Sequence, residues 1–387
     1  PDEDGTTQQP WELTPSRAAK EKLTQPLPEK IAAILSDQIY LPKADMGPAL
    51  RNHLLRLAAF QNPEFYRAQA MRLPTYDKPR IVACAEEFPD HIALPRGCLD
   101  DLRKTLRYNG VKLRVQDKRN RGERIDVTFR GDLRDDQVQA MQALLAEEIG
   151  VLAATTAFGK TVLAAAMIAE RGVNTLVLVH RQQLMTQWVE RLTTFLDLED
   201  WDIGRLGGGR RKLKGKVDIA LLQSMVRKGV VDDRIADYGH VIVDECHHVS
   251  ARNFELAVRR AKAKYILGLS ATVTRKDGHH PIIFMQCGPI RHQVSARQHA
   301  GTKDLTKQVI VRPTRFIAET GSRDEGTRVD FTRLVDLLAH DAQRNEMICD
   351  DLEVAVSAGA FPLILTERTE HLEDLAARLN QRGVEVV

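Results

Sequence analysis

Cysteine is scarce: five residues in 387 (Cys84, Cys98, Cys246, Cys287 and Cys349), odd in number and nowhere in a C-x-x-C pair. This excludes a disulfide framework and a zinc ribbon and predicts reduced thiols. No apolar run approaches the length of a membrane span. The first residues, PDEDGTTQQPWELTPSR, have neither the basic start nor the apolar stretch of a secretion signal. A cytoplasmic chain without a membrane partner is expected. Internal repeats and low-complexity tracts are also missing. Since the sequence begins at Pro1 rather than Met, it is expected to be a piece of a longer polypeptide.

A strong charge of either sign is absent too, with a net charge of +3, so the signal lies in local patches. Residues 96–134 hold 12 Lys/Arg against 6 Asp/Glu, and RLGGGRRKLKGK (205–216) holds 6 basic residues and no acid. Such patches suit phosphate backbones, although each could equally be a solvated face. At 43% hydrophobic and 28% charged, the composition is that of a globular chain, long enough for two or three domains.

Residues 28–72 read as helices: Leu50, Leu54, Leu57 and Ala58 recur at helical spacing, punctuated by Pro42, Gly47, Pro48 and Pro63. RIVACA (80–85), HIALP (91–95) and VKLRVQD (111–117) read as strands around a helix over 97–110, a small basic α+β unit. From Leu133 strands alternate with amphipathic helices, which predicts a parallel sheet covered on both faces. Its strands are GVLAA (150–154), TLVLVH (175–180), VDIALLQ (217–223), HVIVDE (240–245) and YILGLSA (265–271). Leu184, Trp188, Leu192 and Phe195 share one helix face and read as core. AETGSRDEGTR (318–328) reads as linker, and PLILTE (362–367) as the first strand of a second α/β unit.

Two stretches hold chemistry. ATTAFGKT (154–161) joins a strand to a helix, so its backbone N–H groups can surround nucleotide phosphates, Lys160 can reach the β and γ phosphates, and Thr161 can offer its hydroxyl to Mg²⁺. The strict pattern G-x-x-x-x-G-K-[ST] fails at Ala154. In VIVDECHH (241–248) the choice lies between zinc on Cys246, His247 and His248 and nucleotide chemistry on Asp244 and Glu245. Three consecutive side chains converge poorly on a tetrahedral ion, and no second ligand pair stands at zinc-finger spacing. In a parallel sheet the acidic pair and the phosphate loop share one edge, so Asp244 is expected to hold Mg²⁺ and Glu245 to polarise the attacking water. His279 and His280 read as loop histidines.

Six motifs in order resemble those of superfamily 2 helicases and translocases, nearest to the branch with XPB, UvsW and restriction-type subunits, over about residues 80 to 387. LRDDQ (133–137) resembles the adenine-reading segment, with Gln137 as its glutamine. ATTAFGKT resembles motif I in an A-x-x-G-x-G-K-T form, which accounts for Ala154; the ATP-binding set is then Gln137, Ala154, Thr155, Thr156, Ala157, Phe158, Gly159, Lys160 and Thr161. VHRQQLMTQW (179–188), IALLQSM (219–225), DECH (244–247) and LSAT (269–272) resemble motif Ia, a strand-contacting motif, motif II and motif III. The stretch 47–74 is similar to what precedes the helicase in bacterial TOTE conflict proteins, where a primase-like domain is fused upstream.

The resemblance implies an α/β fold with a RecA-like P-loop lobe over 131–312, after a helical segment (1–72) and a small basic α+β domain (73–130). A linker (313–328) and the beginning of a second RecA-like lobe (329–387) follow. It implies ATP and Mg²⁺ as cofactors, with Thr161 and Asp244 on the metal and Lys160, Asp244 and Glu245 as the catalytic set. Ser270, Ala271 and Thr272 would couple that site to nucleic acid. DNA, with RNA as the other candidate polymer, would lie against Arg181, Gln223, Ser224, Arg210, Arg211, Arg119 and Arg121. The expected function is an ATP-dependent DNA helicase or translocase in bacterial defence or repair, with fused or associated primase or nuclease domains. The rival readings are a nucleotide-gated scaffold that binds ATP and partner proteins without translocation, and a phosphotransferase. Two departures from the pattern stand out. Ala157 replaces the usual Gly, and the sequence stops before motifs V and VI, so the chain is expected to bind ATP but hydrolyse it poorly.

Overall fold

The structure is a computed structural model that describes residues 23, 26–247, 251–271, 278–294, 309–317 and 331–386. Its first element is a strand. In KIAAIL (β1, Lys30–Leu35) Ile31, Ala33 and Leu35 are buried and the residues between them are more exposed, a period of two that only extended backbone satisfies. β2 (Ile39–Pro42) repeats the pattern with Ile39 and Leu41. The helices expected from residue 28 therefore begin only at α1 (Pro48–Arg56), which buries Leu50 and Leu54, and continue in α2 (Pro63–Ala70). Between and after them, β3 (Ala59–Gln61) pairs antiparallel with β4 (Ile81–Ala83).

β5 (Glu86–Glu87), β6 (His91–Leu94), α3 (Leu99–Tyr108) and β7 (Lys112–Asp117) complete this region. The sheet runs β5-β6-β2-β1-β7, with β1 and β7 parallel over six residue pairs. The expected boundary at residues 72 and 73 thus cuts through one sheet and is corrected: residues 30–117 form one α+β unit. The sequence reading failed here because β1 and β2 are short, and the alternation in KIAAIL is blurred by Ala32 and Ile34 on its outer side.

The lobe follows. In order come α4 (Asp135–Leu145), β8 (Ile149–Ala154), α5 (Lys160–Arg171), β9 (Thr175–Val179), α6 (Gln182–Phe195), β10 (Ile203–Gly207), β11 (Arg210–Lys212) and β12 (Val217–Leu221). Then come α7 (Leu222–Met225), the pair β13 (Val226–Arg227) and β14 (Val230–Val231), β15 (His240–Val243), α8 (Ala251–Arg260), β16 (Tyr265–Ser270), α9 (Pro281–Cys287) and β17 (Ile290–Val294). The sheet order is β11-β10-β12-β9-β15-β16-β8-β17, parallel except for β11. All five expected strands are present. β10, β11 and β17 were not anticipated, being glycine-rich (IGRLG) or polar (RRK, IRHQV).

The lobe and the small unit are packed as one body. A single apolar core runs from Ile31, Leu41 and Leu102 into Leu176, Val241 and Ile266. The chain from β7 crosses beneath the amino end of the large sheet, bridging Asn120 to Ala263, Arg124 to Val173 and Phe129 to Leu196. There Gly122, at φ +80, lies so close to Gly239 that a Cβ would fall 2.6 Å from its Cα. At the other contact Gly97 abuts α9, where a Cβ would run into the carbonyl of Phe284.

Residues from Leu305 onward form a separate unit. Its helices are α10 (Phe331–Ala339), α11 (Ala342–Ser357) and α12 (Thr369–Gln381), the last two packed around Cys349, Leu375 and Leu379. The expected strand in PLILTE is not formed among the described residues. Phe361, Leu363 and Leu365 are exposed, and a strand requires a neighbour for its backbone groups. Residues 318–328, read as a linker, lie outside the described residues.

Gly97→Ala forces a methyl group into backbone that cannot yield like a side-chain tip. It is expected to cost about 1–3 kcal/mol of stability, read as a lower denaturant midpoint. An unshifted midpoint would show that the junction between unit and lobe is loosely packed.

Candidate nucleotide-binding site

β16 is hydrogen-bonded to β15 on one side and β8 on the other. The loop after β8, the turn after β15 and the end of β16 therefore meet at one carboxyl edge. The phosphate loop turns through two left-handed residues, Ala157 (φ +72) and Gly159 (φ +84), before α5 begins at Lys160. The Lys160 ammonium donates to Ala154 O at 3.1 Å and lies 3.8 Å from Glu245 Oε1. Thr155 Oγ1 is buried without a hydrogen-bond partner. A loop with an orphaned hydroxyl, a cation and the amino end of a 12-residue helix fits a nucleotide's phosphates.

Gln137 is buried. Its Nε2 donates to Phe158 O at 2.8 Å, and its Oε1 accepts from Arg134 N at 3.0 Å. The Arg134 guanidinium also donates to Phe158 O, at 2.7 Å, and stands 5.8 Å from the Phe158 ring centroid. Gln137 thus braces the loop; Arg134 does the same and was not singled out from the sequence. Thr156 lies in the same loop and is exposed, and Thr161 is in the first turn of α5.

Asp244 is buried at the foot of the acidic turn. Its Oδ2 accepts from Trp188 Nε1 at 2.6 Å and its Oδ1 from Glu245 N at 2.9 Å. Burial pushes its carboxyl up, the Trp188 bond and the nearby Lys160 charge pull it down, and Glu245 raises it. Trp188 is predicted by its helical spacing to be core. It is core, yet its indole N–H is aimed at the carboxylate, a role its helical spacing could not reveal; its place in VHRQQLMTQW was the one available clue. Glu245 sits at φ +46, and its carboxylate is 3.3 Å from His247 Nδ1, which in turn is 2.8 Å from Ser270 Oγ.

This chain of contacts links the acidic turn to the LSAT segment at Ser270, with Ala271 next in sequence; Thr272 and His248 lie outside the described residues. Cys246 is buried in the apolar core with its thiol pushed well up by desolvation, and no cluster of three His, Cys, Asp or Glu occurs among the described residues.

Four of the expected nucleic-acid residues share this edge. Arg181 caps α6 and is exposed, while Gln223 Nε2 donates to His180 O at 2.8 Å, tying the ends of β9 and β12 together. Ser224 follows on α7, and Arg210 starts β11 at the hairpin after β10. The Arg211 side chain lies outside the described residues. Arg119 and Arg121 are corrected, because the crossing segment carries them beneath the opposite, amino edge. Arg119 is buried against Asp117 (2.7 Å) and Glu148 (2.8 Å) and holds the Asp117 carboxyl down at about 2, so it pins the junction rather than facing a phosphate. Arg121 is exposed, but beside Gly239 at that same far edge.

The fold is that of a RecA-like α/β lobe with a loop of the phosphate-binding kind between β8 and α5. The family described as Type III restriction enzyme, res subunit, matches residues 130–275. The DNA 3'-5' translocase XPB2 of Sulfurisphaera tokodaii is 31% identical over 248 residues, 59% of this chain and 55% of the relative. A protein of Acanthamoeba polyphaga mimivirus, named putative ATP-dependent RNA helicase L396, is 27% identical over 271 residues, 66% of this chain and 50% of that one. The crystal structure of the UvsW helicase from Bacteriophage T4 shares the fold with a TM-score of 0.52 at 15% identity, covering 68% of this chain and 99% of that chain. Residues 130–275 are thus similar to that restriction-subunit family, and the chain spans about half the length of these curated relatives.

Ala157→Gly removes a left-handed alanine and is expected to raise stability by up to about 1 kcal/mol, seen as a higher melting temperature. A lower melting temperature would mean that the methyl group packs usefully. Trp188→Phe keeps the ring but removes the N–H, leaving a buried carboxylate short of a donor. A loss of about 1–3 kcal/mol in chemical denaturation is expected, and a wild-type midpoint would sink the bond's importance.

Proposed function

We propose that the protein is an ATP-driven motor on DNA, a helicase or translocase in which nucleotide turnover at the carboxyl edge moves the polymer held beside it. The observation that carries this reading is the convergence of Lys160, Asp244, Glu245 and Ser270 on the same sheet edge as Arg181, Gln223 and Arg210. In this reading Lys160 holds the β and γ phosphates, with the loop residues Ala154 to Thr161 around them. Thr161 and Asp244 hold Mg²⁺, which when bound neutralises charge on the phosphates. Glu245 polarises the attacking water. Its present neighbour, Lys160, is the cation that the phosphates would draw away.

Gln137 and Arg134, both bonded to Phe158 O, would tie adenine recognition to the shape of the loop. His247 and Ser270 would relay the state of the acidic turn to the segment after β16. Arg181, Gln223, Ser224 and Arg210 would grip the sugar-phosphate backbone without reading sequence. The names of the relatives favour DNA, with RNA the competitor. A role in bacterial defence or repair, and linkage to primase or nuclease domains, rest on the resemblance alone.

Phosphate release from ATP·Mg²⁺ is the deciding measurement, made with and without duplex DNA, single-stranded DNA and RNA, with Lys160→Ala as the blank. Many-fold stimulation by DNA with a silent blank is expected. ATP binding whose turnover no nucleic acid changes would replace the motor with a nucleotide-gated scaffold.

A further inference from the structure

The stretch between Asn62 and Ile81 serves neither the sheets nor the ATPase site. Asn62 is buried and closes its base. Its N–H donates to Arg80 O at 2.9 Å, its Nδ2 donates to Pro79 O at 2.8 Å, and its Oδ1 accepts from Glu64 N at 3.1 Å to cap α2. The segment after α2 is drawn into a tight turn, with Arg72 at φ +55 and Leu73 N donating to Ala68 O at 2.8 Å. The result is a stapled protrusion with a defined shape.

Its surface is unusual for one that meets only water. Tyr66, Met71, Leu73 and Ile81 are all exposed, and Tyr76 is 93% exposed. Interleaved with them are Arg67, Arg72, Lys78 and Arg80, against only Glu64 and Asp77, and the Asp77 carboxylate is taken by Lys78 at 2.9 Å. Clustered exposed apolar groups mark interaction sites, and aromatic rings mixed with an excess of cations suit stacked bases and phosphates.

The root of the protrusion is placed to matter. Phe60 meets His279 edge-on with centroids 6.0 Å apart, and Gly278 abuts Pro63 so closely that a Cβ would fall 2.5 Å from its Cγ. These partners lie between the end of β16, where Ser270 contacts His247, and the start of α9.

We propose that this protrusion is a second nucleic-acid contact of the motor, in which Tyr76 stacks on an unpaired base and Arg72 faces the adjoining phosphate. The assignment rests on the reading above that the polymer is nucleic acid, and it adds a contact outside the motif residues. Its root rests on Gly278 and His279, just before α9.

The test is fluorescence anisotropy of labelled forked DNA, blunt duplex and single-stranded DNA at fixed salt, with Tyr76→Ala, Tyr76→Phe and Arg72→Ala. Tyr76→Ala is expected to weaken forked and single-stranded DNA about five- to tenfold, the lower part of what one stacked base contributes, and blunt duplex less. Tyr76→Phe should retain binding, Arg72→Ala should reduce it and lower its salt dependence, and DNA-free ATP turnover should stay at wild type in all three. A strand carrying 5-iodouracil should cross-link to the peptide containing Tyr76. If wild type binds DNA and Tyr76→Ala binds it equally, the protrusion belongs to another kind of partner and the proposal falls. If wild type binds no nucleic acid in any arm, the motor reading itself fails and takes the proposal with it.

Discussion

The parallel pairing of β16 between β15 and β8 is the constraint on which the rest of the structure depends. Backbone hydrogen bonds lock His240 to Val243 against Tyr265 to Gly268, and Ile266 to Ser270 against Ile149 to Ala153. Strand ends held at one height leave their following loops no choice but to share an edge. Lys160, the acidic turn and Ser270 come together for that reason and not through any attraction among themselves. Their charges are costly there: a buried carboxylate beside a second acid needs donors and a cation. Trp188 supplies the donor and Lys160 the cation.

Strain gathers at the same edge. Ala157 and Glu245 are two of the four non-glycine residues with positive φ in the described structure, and Gly159, also left-handed, caps α5. Backbone held in sparsely populated conformations persists where surrounding contacts over-determine it. Here those contacts are the brace from Gln137 and Arg134 onto Phe158 O, and the Asp244 side chain accepting from Glu245 N.

The small α+β unit is not an appendage that could be lifted off. Its core is continuous with one face of the lobe, two glycines allow its backbone into direct contact with α9 and with the turn before β15, and Arg119 is spent on the junction. A rigid mount of this kind gives the exposed stretch around Tyr76 a fixed base against Gly278 and His279.

The lobe was legible in the sequence because buried parallel strands are written as uninterrupted apolar runs such as TLVLV, and because phosphate chemistry demands particular residues in a short loop. Lys160, Asp244 and Glu245 could therefore be named as candidates without coordinates. The small unit was not legible. β1 and β2 are short, their partner β7 lies far along the chain, and local pattern holds no record of a distant hydrogen-bond ladder, so strands were read as helix. Nor could charge alone separate Arg210 from Arg119, both in basic stretches. Which edge a side chain reaches is set by the path of the chain around the sheet, and that path placed Arg119 in a buried ion pair and Trp188 against Asp244. Sequence fixes the chemistry available to each element; only tertiary packing decides which groups meet, because contact depends on burial and direction rather than on residue type.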